Sequence, residues 1–359
     1  MKIKRFALLA VLTFVWTAPA FSGVTFTPTG VIGMVPNSMS DDATIIVGTG
    51  LFGLPNYYYT EAGGAVVIGD GCGGPMGISG DGTTVVGCHV DVNGNQNAAK
   101  WLGGTSWLDL GSEAGAVPCD TLLSQPYGIN QNGSLAVGLL WRAMVCHANG
   151  GTWDLVNGGP ATVLPTLFDG PSTRANAVNA DGSVIVGWQD QPTGLRTAVK
   201  WVISVPELIL TSDGAFNGEA LAVSADGGTI VGFGYNFGQE AWIWRANTGV
   251  TPIGMSTHGG KKGEFFATDV SDDGKVVVGF IRKGLFKEKA FIWRYGKGAA
   301  YLDEFITNRG AVIPAGWNLN TASIVSPDGN TIYGWGFNPA SQEEMFKVDL
   351  NASTASPRK

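Results

Sequence analysis

The residues able to do chemistry in this chain are few. It has three histidines, His89, His147 and His258. Cleavage of an acidic polysaccharide by elimination needs a His or Tyr base beside a cation that neutralises the sugar carboxylate, and His89, His258, Tyr235 and Arg174 could fill those roles. A paired-carboxylate glycosidase could be drawn from Asp91, Asp190, Glu219 and Glu264, but sequence does not set the distance between them. Acyl transfer lacks its Gly-x-Ser-x-Gly elbow. The phosphate-cradling Gly-x4-Gly-Lys-Ser/Thr loop, the calcium loop spacing and any Cys or His pair at zinc spacing are also missing, so no metal and no cofactor is expected.

The elements that would position these residues come from a repeat. Residues 220–245 contain the skeleton Ala-x-x-Val-Ser-x-Asp-Gly-x-x-Ile-Val-Gly, a variable gap and Ala-x-x-Trp, and the skeleton recurs seven times. Alternation around Ala220, Ala222 and Ser224 has the period of a strand. Ser-x-Asp-Gly is a hairpin turn, and β-branched and aromatic strands follow it. The Gly closing the second strand stands at Gly48, Gly87, Gly138, Gly187, Gly232, Gly279 and Gly334, a spacing near the length of a four-stranded propeller blade. Only the first turn, Ser40-Asp41-Asp42-Ala43, lacks its Gly, and its hairpin is expected to be the least regular. The turn carboxylates Asp81, Asp181, Asp226, Asp273 and Asp328 read as hairpin caps.

The two ends fit together. The seventh module has three strands, the third over 345–350, while the apolar stretch 30–35 precedes the first module with no blade of its own. An N-terminal strand completing the last blade would remove both leftovers. The expected fold is all-β, a closed seven-bladed propeller of four-stranded antiparallel blades. The expected domains are a signal peptide over 1–22 (cleaved after 20 or 22), one propeller over 23–350 and a polar tail over 351–359.

Lys2, Lys4 and Arg5, the apolar core 6–16 and Ala18-Pro19-Ala20 form that signal. Its core is too short to span a bilayer, and an exported protein, secreted or periplasmic, is expected. Loss of those three cations takes the net charge from −7 to −10. An acidic, lightly charged chain argues against nucleic acid as a partner. No membrane span and a monomer are expected.

Four cysteines in an exported chain suggest disulfides. Pairing within modules, Cys72–Cys88 and Cys119–Cys146, closes the shortest loops; Cys88–Cys119 across neighbouring blades is the rival. Cys146 also falls at the repeat's Trp position, where a buried small residue is the plainer reading. Trp101, Trp201, Trp244 and Trp293 share that position and read as packing between blades.

Val270–Gly279 together with Ala290–Trp293 gives Val-Ser-x-Asp-Gly-x-x-Val-Val-Gly and Ala-Phe-Ile-Trp. This resembles the bacterial extracellular repeat proteins named for a His-Ala-Phe motif. Here the His is replaced, by Glu240 or Lys289 for example, and the Phe is kept only at Phe291. The resemblance implies a secreted propeller and carries no catalytic residue over.

Antiparallel order puts the turns after strands one and three on one face, and the connections after strands two and four on the other. The first set is short and uniform, and includes the glycine pairs 103–104 and 150–151; His147 is expected on that face. The second set is long and differs in every module, the pattern of a recognition surface on a rigid scaffold. Residues there that the repeat does not require are His89, Asp91, Arg174, Asp190, Glu219, Tyr235, His258, Lys261, Glu264, Arg282, Lys283 and Trp317. Taken singly, each is ordinarily a solvated loop residue. Together, Arg174, Glu219, Tyr235, His258, Glu264 and Trp317 would form a ligand-binding ring over the channel, Trp317 by stacking. The expected function is an exported binding module for an extracellular glycan or protein, with a polysaccharide lyase or glycoside hydrolase as the alternative.

Overall fold

The computed structural model describes residues 22–50, 55–69, 72, 74, 76–142, 146–215, 217–234, 240–254, 263–284 and 287–353. Seven four-stranded antiparallel sheets are arranged as blades, with strands one to four running outward from a central channel in chain order in the first six. Each blade packs on the next, and blade seven packs on blade one, so the ring is closed. The core lies between blades. Val186, Ala198, Ala220, Ile230 and Trp242, for example, join blades four and five. A single sheet exposes two faces, and the facing sheets cover both.

The closing glycine of strand two has a geometric cause. Strand one carries a bulge in six blades, for example between Ala175 and Ala177, Ala220 and Ala222, and Ala267 and Asp269. The bulge re-aims the extra residue towards the channel and drives a backbone carbonyl over the facing glycine. A Cβ on Gly187 would lie 1.9 Å from the Arg174 oxygen, and one on Gly232 would lie 1.9 Å from that of Glu219. No side chain fits there.

The Ser-x-Asp-Gly turns work as expected. In five of them the Ser hydroxyl donates to the Asp two residues on, at 2.6 to 2.8 Å. The Ser79 hydroxyl, with the Thr83 amide and hydroxyl, holds Asp81 below the ordinary carboxylate range. The first hairpin is a correction. Ala43 adopts φ 56°, and its amide reaches the Ser40 carbonyl at 2.8 Å as Gly82 reaches Ser79 at 2.9 Å. The turn is as regular as the others, with Ala bearing a left-handed strain of about 1 kcal/mol.

Ring closure follows the expected plan with shifted bounds. Strand four of blade seven is Ser22–Ile32, paired antiparallel with strand three, Glu343–Ser353, so that Phe26 faces Val348 and Pro28 faces Phe346. The stretch 30–35 is therefore divided. Residues up to Ile32 finish blade seven, and Met34–Met39 begins blade one as its strand one. Gly33, at φ 73°, makes the step alone. Strand three of blade seven also runs beyond 350. The signal region up to residue 21 lies outside the described residues.

Blade three corrects a register. Its strands two and three are Leu135–Arg142 and His147–Asp154, and Gly151 pairs with Gly138. Trp153, 1 % exposed, therefore holds the repeat's Trp position, not Cys146, which is exposed at the hairpin. Gly150 and Gly151 lie inside strand three, where a Cβ on Gly151 would meet Leu140 at 2.5 Å. They are close-packing glycines that read as a turn. In consequence His147 lies at the strand two to strand three hairpin, on the variable-loop face. The disulfides are Cys72–Cys88 and Cys119–Cys146, as the shortest loops predict.

Candidate functional site

The first strands enclose a channel with a cavity of about 250 Å³. The bulge residues Tyr127, Asn176, Leu221, Thr268 and Ser323 line it, as does Asp269. At the turn-side mouth the x residues of the Ser-x-Asp-Gly turns are laced to one another. Asp41 donates its amide to Gly80, Gly80 to Gln131 and Asp272 to Pro327, at 2.8 to 3.0 Å, and the Gln131 side chain donates to Asp41 at 2.7 Å. This mouth is acidic. Burial, then Asp41, Asp273 and Asp226, push Asp272 above its ordinary value. Burial raises Asp269 to about 7, against hydrogen bonds from the Val325 and Val270 amides and with a small push from Asp272.

The variable-loop mouth carries the charged cluster. Arg174 is the second residue of strand one of blade four, Thr173–Val178, and Glu219 opens strand one of blade five, Glu219–Val223. Their side chains meet at 2.8 Å across the blade junction. Arg196 reaches the other Glu219 oxygen at 2.6 Å and Asp190 at 2.9 Å. Asp190 ends strand two of blade four and Arg196 begins strand three, and the two are cross-strand partners. Burial opposes the charge on Arg196, yet hydrogen bonds to Asp190 and Glu219 outweigh it and raise its pKa. Glu219 is 7 % exposed, and two guanidiniums satisfy it. The Arg174 guanidinium lies over Tyr127 at 4.6 Å and over Trp188 at 5.4 Å, and that of Arg196 lies over Trp188 at 3.5 Å. Such stacking fixes the planes of both cations.

A second group sits on blade six. Arg282 pairs with Glu288 at 3.1 Å and Glu264 at 3.8 Å and lies over the stacked rings of Phe266 and Phe280. Lys283 contacts the Tyr301 hydroxyl.

Of the expected ring, the structure brings Arg174 and Glu219 together, while Glu264 stands with Arg282. Trp317 packs edge-on against Phe26 of the closing strand, centroids 5.2 Å apart, so its ring is engaged within the fold. His89 faces Asp109 on the outermost strand of blade two at 3.3 Å. Asp91 is spent on its own turn, accepting from the Asn93 and Asn95 amides at 2.8 Å. Tyr235, His258 and Lys261 lie outside the described residues. Arg196, Tyr127 and Trp188 completed the cluster without being singled out as ligand residues; the signal for Arg196 was its cross-strand position opposite Asp190. Among the described residues, no group of three His, Cys, Asp or Glu converges as a metal site would, and no helix is long and apolar enough to cross a membrane.

This geometry defines a seven-bladed β-propeller, and known structures share it. The Swd1 β-propeller domain of Myceliophteria thermophila superposes with TM-score 0.58 at 10 % identity, over 89 % of this chain and 98 % of that one. Oligogalacturonate lyase from Vibrio parahaemolyticus gives 0.55 at 14 % identity, over 90 % and 92 %. A weaker similarity, with TM-score 0.46 at 13 % identity over 78 % of this chain and 63 % of that one, is to TolB from Acinetobacter baumannii, of whose length this chain spans less than two thirds. No protein-family model and no curated protein matches the sequence.

Proposed function

We propose that this protein is an exported binding module that takes an extracellular glycan or protein ligand on its variable-loop face, centred on the channel rim between blades three and five. The observation that carries this is the Arg174–Glu219–Arg196–Asp190 cluster. Planar donors and acceptors are fixed beside the Tyr127 ring at the mouth of a channel whose opposite rim is laced by hydrogen bonds between the turns. A preorganised polar rim of this kind suits hydroxyl, carboxylate or peptide groups. Glu219 serves two arginines, and His89 is turned to Asp109 on another blade. Among the described residues, neither is therefore free to act as the base of an elimination, which favours binding; a tyrosine base at Tyr127, its ring 4.6 Å from the Arg174 guanidinium, belongs to the lyase alternative. Two disulfides support export, and the short motifs like those of the His-Ala-Phe repeat proteins point the same way.

Arg196 is the residue to vary, because it is 41 % exposed against 22 % for Arg174, and Glu219 keeps its Arg174 partner when Arg196 is replaced. On immobilised polygalacturonate, hyaluronate, xylan and dextran, and on an extracellular protein extract, the wild-type protein should be retained by at least one support. Arg196→Gln should weaken that retention by about tenfold, with the thermal midpoint little changed. Retention by none would end the reading. New reducing ends or unsaturated products would replace it with the lyase or hydrolase alternative.

A further inference from the structure

We infer that the pocket of blade three is a second recognition site, specific for a uronic acid residue of a glycan. The inference rests on the variable-loop face being the recognition face, and it concerns residues apart from the rim cluster. A cavity of about 390 Å³ opens there between the facing ends of strands two and three, at Arg142 and His147, and the connection to blade four. Arg142, His147, Asn149, Leu164, Asp169 and Pro171 are among its lining residues. Its size suits one or two sugar rings.

The pocket is built. The Trp201 indole donates to the Pro165 carbonyl at 2.7 Å. Gln189, fully buried, accepts from the Leu167 amide at 3.0 Å and donates to the Phe168 carbonyl at 3.3 Å. The Leu164 amide reaches the Gly150 carbonyl at 2.9 Å. These bonds pin the 164–168 wall from beneath. On the other side the Cys119–Cys146 disulfide anchors the chain next to His147, and the Gly150 amide donates to Thr173 at 2.7 Å. Preformed walls lower the ordering cost of binding.

The groups facing the cavity are unspent among the described residues. Asn149 is 8 % exposed, lines the pocket, and its side chain makes no hydrogen bond there. His147 and Asp169 have no ion-pair or hydrogen-bond partner. Arg142 is held only through Nε, by Glu113 at 3.3 Å, and is 52 % exposed. Its guanidinium can therefore receive a carboxylate. Asp169 accepts from hydroxyls, and Asn149 and His147 both donate and accept. Val163, Leu164, Pro165 and Pro171 offer an aliphatic wall for the C–H face of a pyranose. One anionic end on an otherwise hydroxylated ring matches this set. A neutral hexose leaves Arg142 unused. A zwitterionic amino acid would pair its ammonium with Asp169, and it is the competing ligand that the test includes.

The test is a saturation-transfer NMR titration of the full protein with D-glucuronate, D-galacturonate, their parent hexoses and L-alanine. A uronate should bind with Kd of about 1 mM, the range open to a single sugar ring, and its parent hexose should bind about tenfold more weakly. Arg142→Gln should erase that difference, and Asp169→Asn should weaken uronate and hexose alike; unchanged thermal midpoints would establish that both variants are folded. Equal binding of uronate and hexose, no binding of either, a preference for alanine, or uronate binding untouched by Arg142→Gln would each overturn the inference. The rim reading fails on a different result, the absence of any retained polymer or protein, so the two are separable.

Discussion

At the scale of single residues, Asp269 shows how the channel differs from the turns. It sits in the wall of the lumen with two backbone amides as donors, and burial still lifts it to about 7 from an ordinary 3.8. The native state therefore keeps a proton that the unfolded chain releases across that window. The sign follows: this group adds stability below pH 3.8 and loses it as pH rises to about 7. The turn carboxylates act oppositely, since Asp42, Asp81 and Asp226 are lowered, first by the Ser hydroxyl each accepts from. Their contribution is lost only as pH falls below the ordinary carboxylate range. In urea denaturation at several pH values, Asp269→Asn should remove the decline in stability between pH 4 and 7 relative to wild type; parallel curves would show that Asp269 is not the titrating group.

At the scale of elements, the second-strand glycine and the first-strand bulge form one device. The bulge turns one residue per blade into the lumen, and the glycine gives the displaced carbonyl room. Gly232→Ala would force a Cβ against the Glu219 oxygen, with the Trp242 ring also within 2.6 Å. A loss of about 3 kcal/mol in denaturant unfolding is expected, and a loss under 1 kcal/mol would show that the strands can part cheaply. Blade three shows where sequence reading slipped. The spacing of Gly138 and its neighbours was legible, but Gly150 and Gly151 resemble a turn and instead make room for Leu140 and the start of blade four. Placing strand three too early moved His147 to the wrong face. It also hid the pairing of Arg142 with His147, which only the strand register reveals.

At the scale of the whole molecule, seven repeats and the two leftover ends were enough to specify a closed ring, because each blade has faces that only neighbours can cover. The fold was legible for that reason; the disulfide pairing was legible only as the shorter-loop choice, with Cys88–Cys119 left open as its rival. The site was only partly legible. Arg174 and Glu219 could be singled out as departures from the repeat, but which loop charges meet depends on blade rotation, which no spacing encodes. Closure itself rests on the Ser22–Ile32 strand, where Phe26 is 9 % exposed between Trp317 and Phe346. Phe26→Ala should cost about 3 kcal/mol and expose Glu343–Ser353 to early proteolysis; an unchanged cleavage pattern would mean the ring holds without that anchor.

The most direct measurement of the central claim is amide hydrogen exchange with and without the polymer or protein that retains this chain. Slowed exchange is predicted in 164–174, 190–196 and 217–220, around the channel rim and the blade-three wall. Slowing confined to the turns at 40–43, 79–82 and 271–274, or to the outermost strands, would contradict recognition on the variable-loop face.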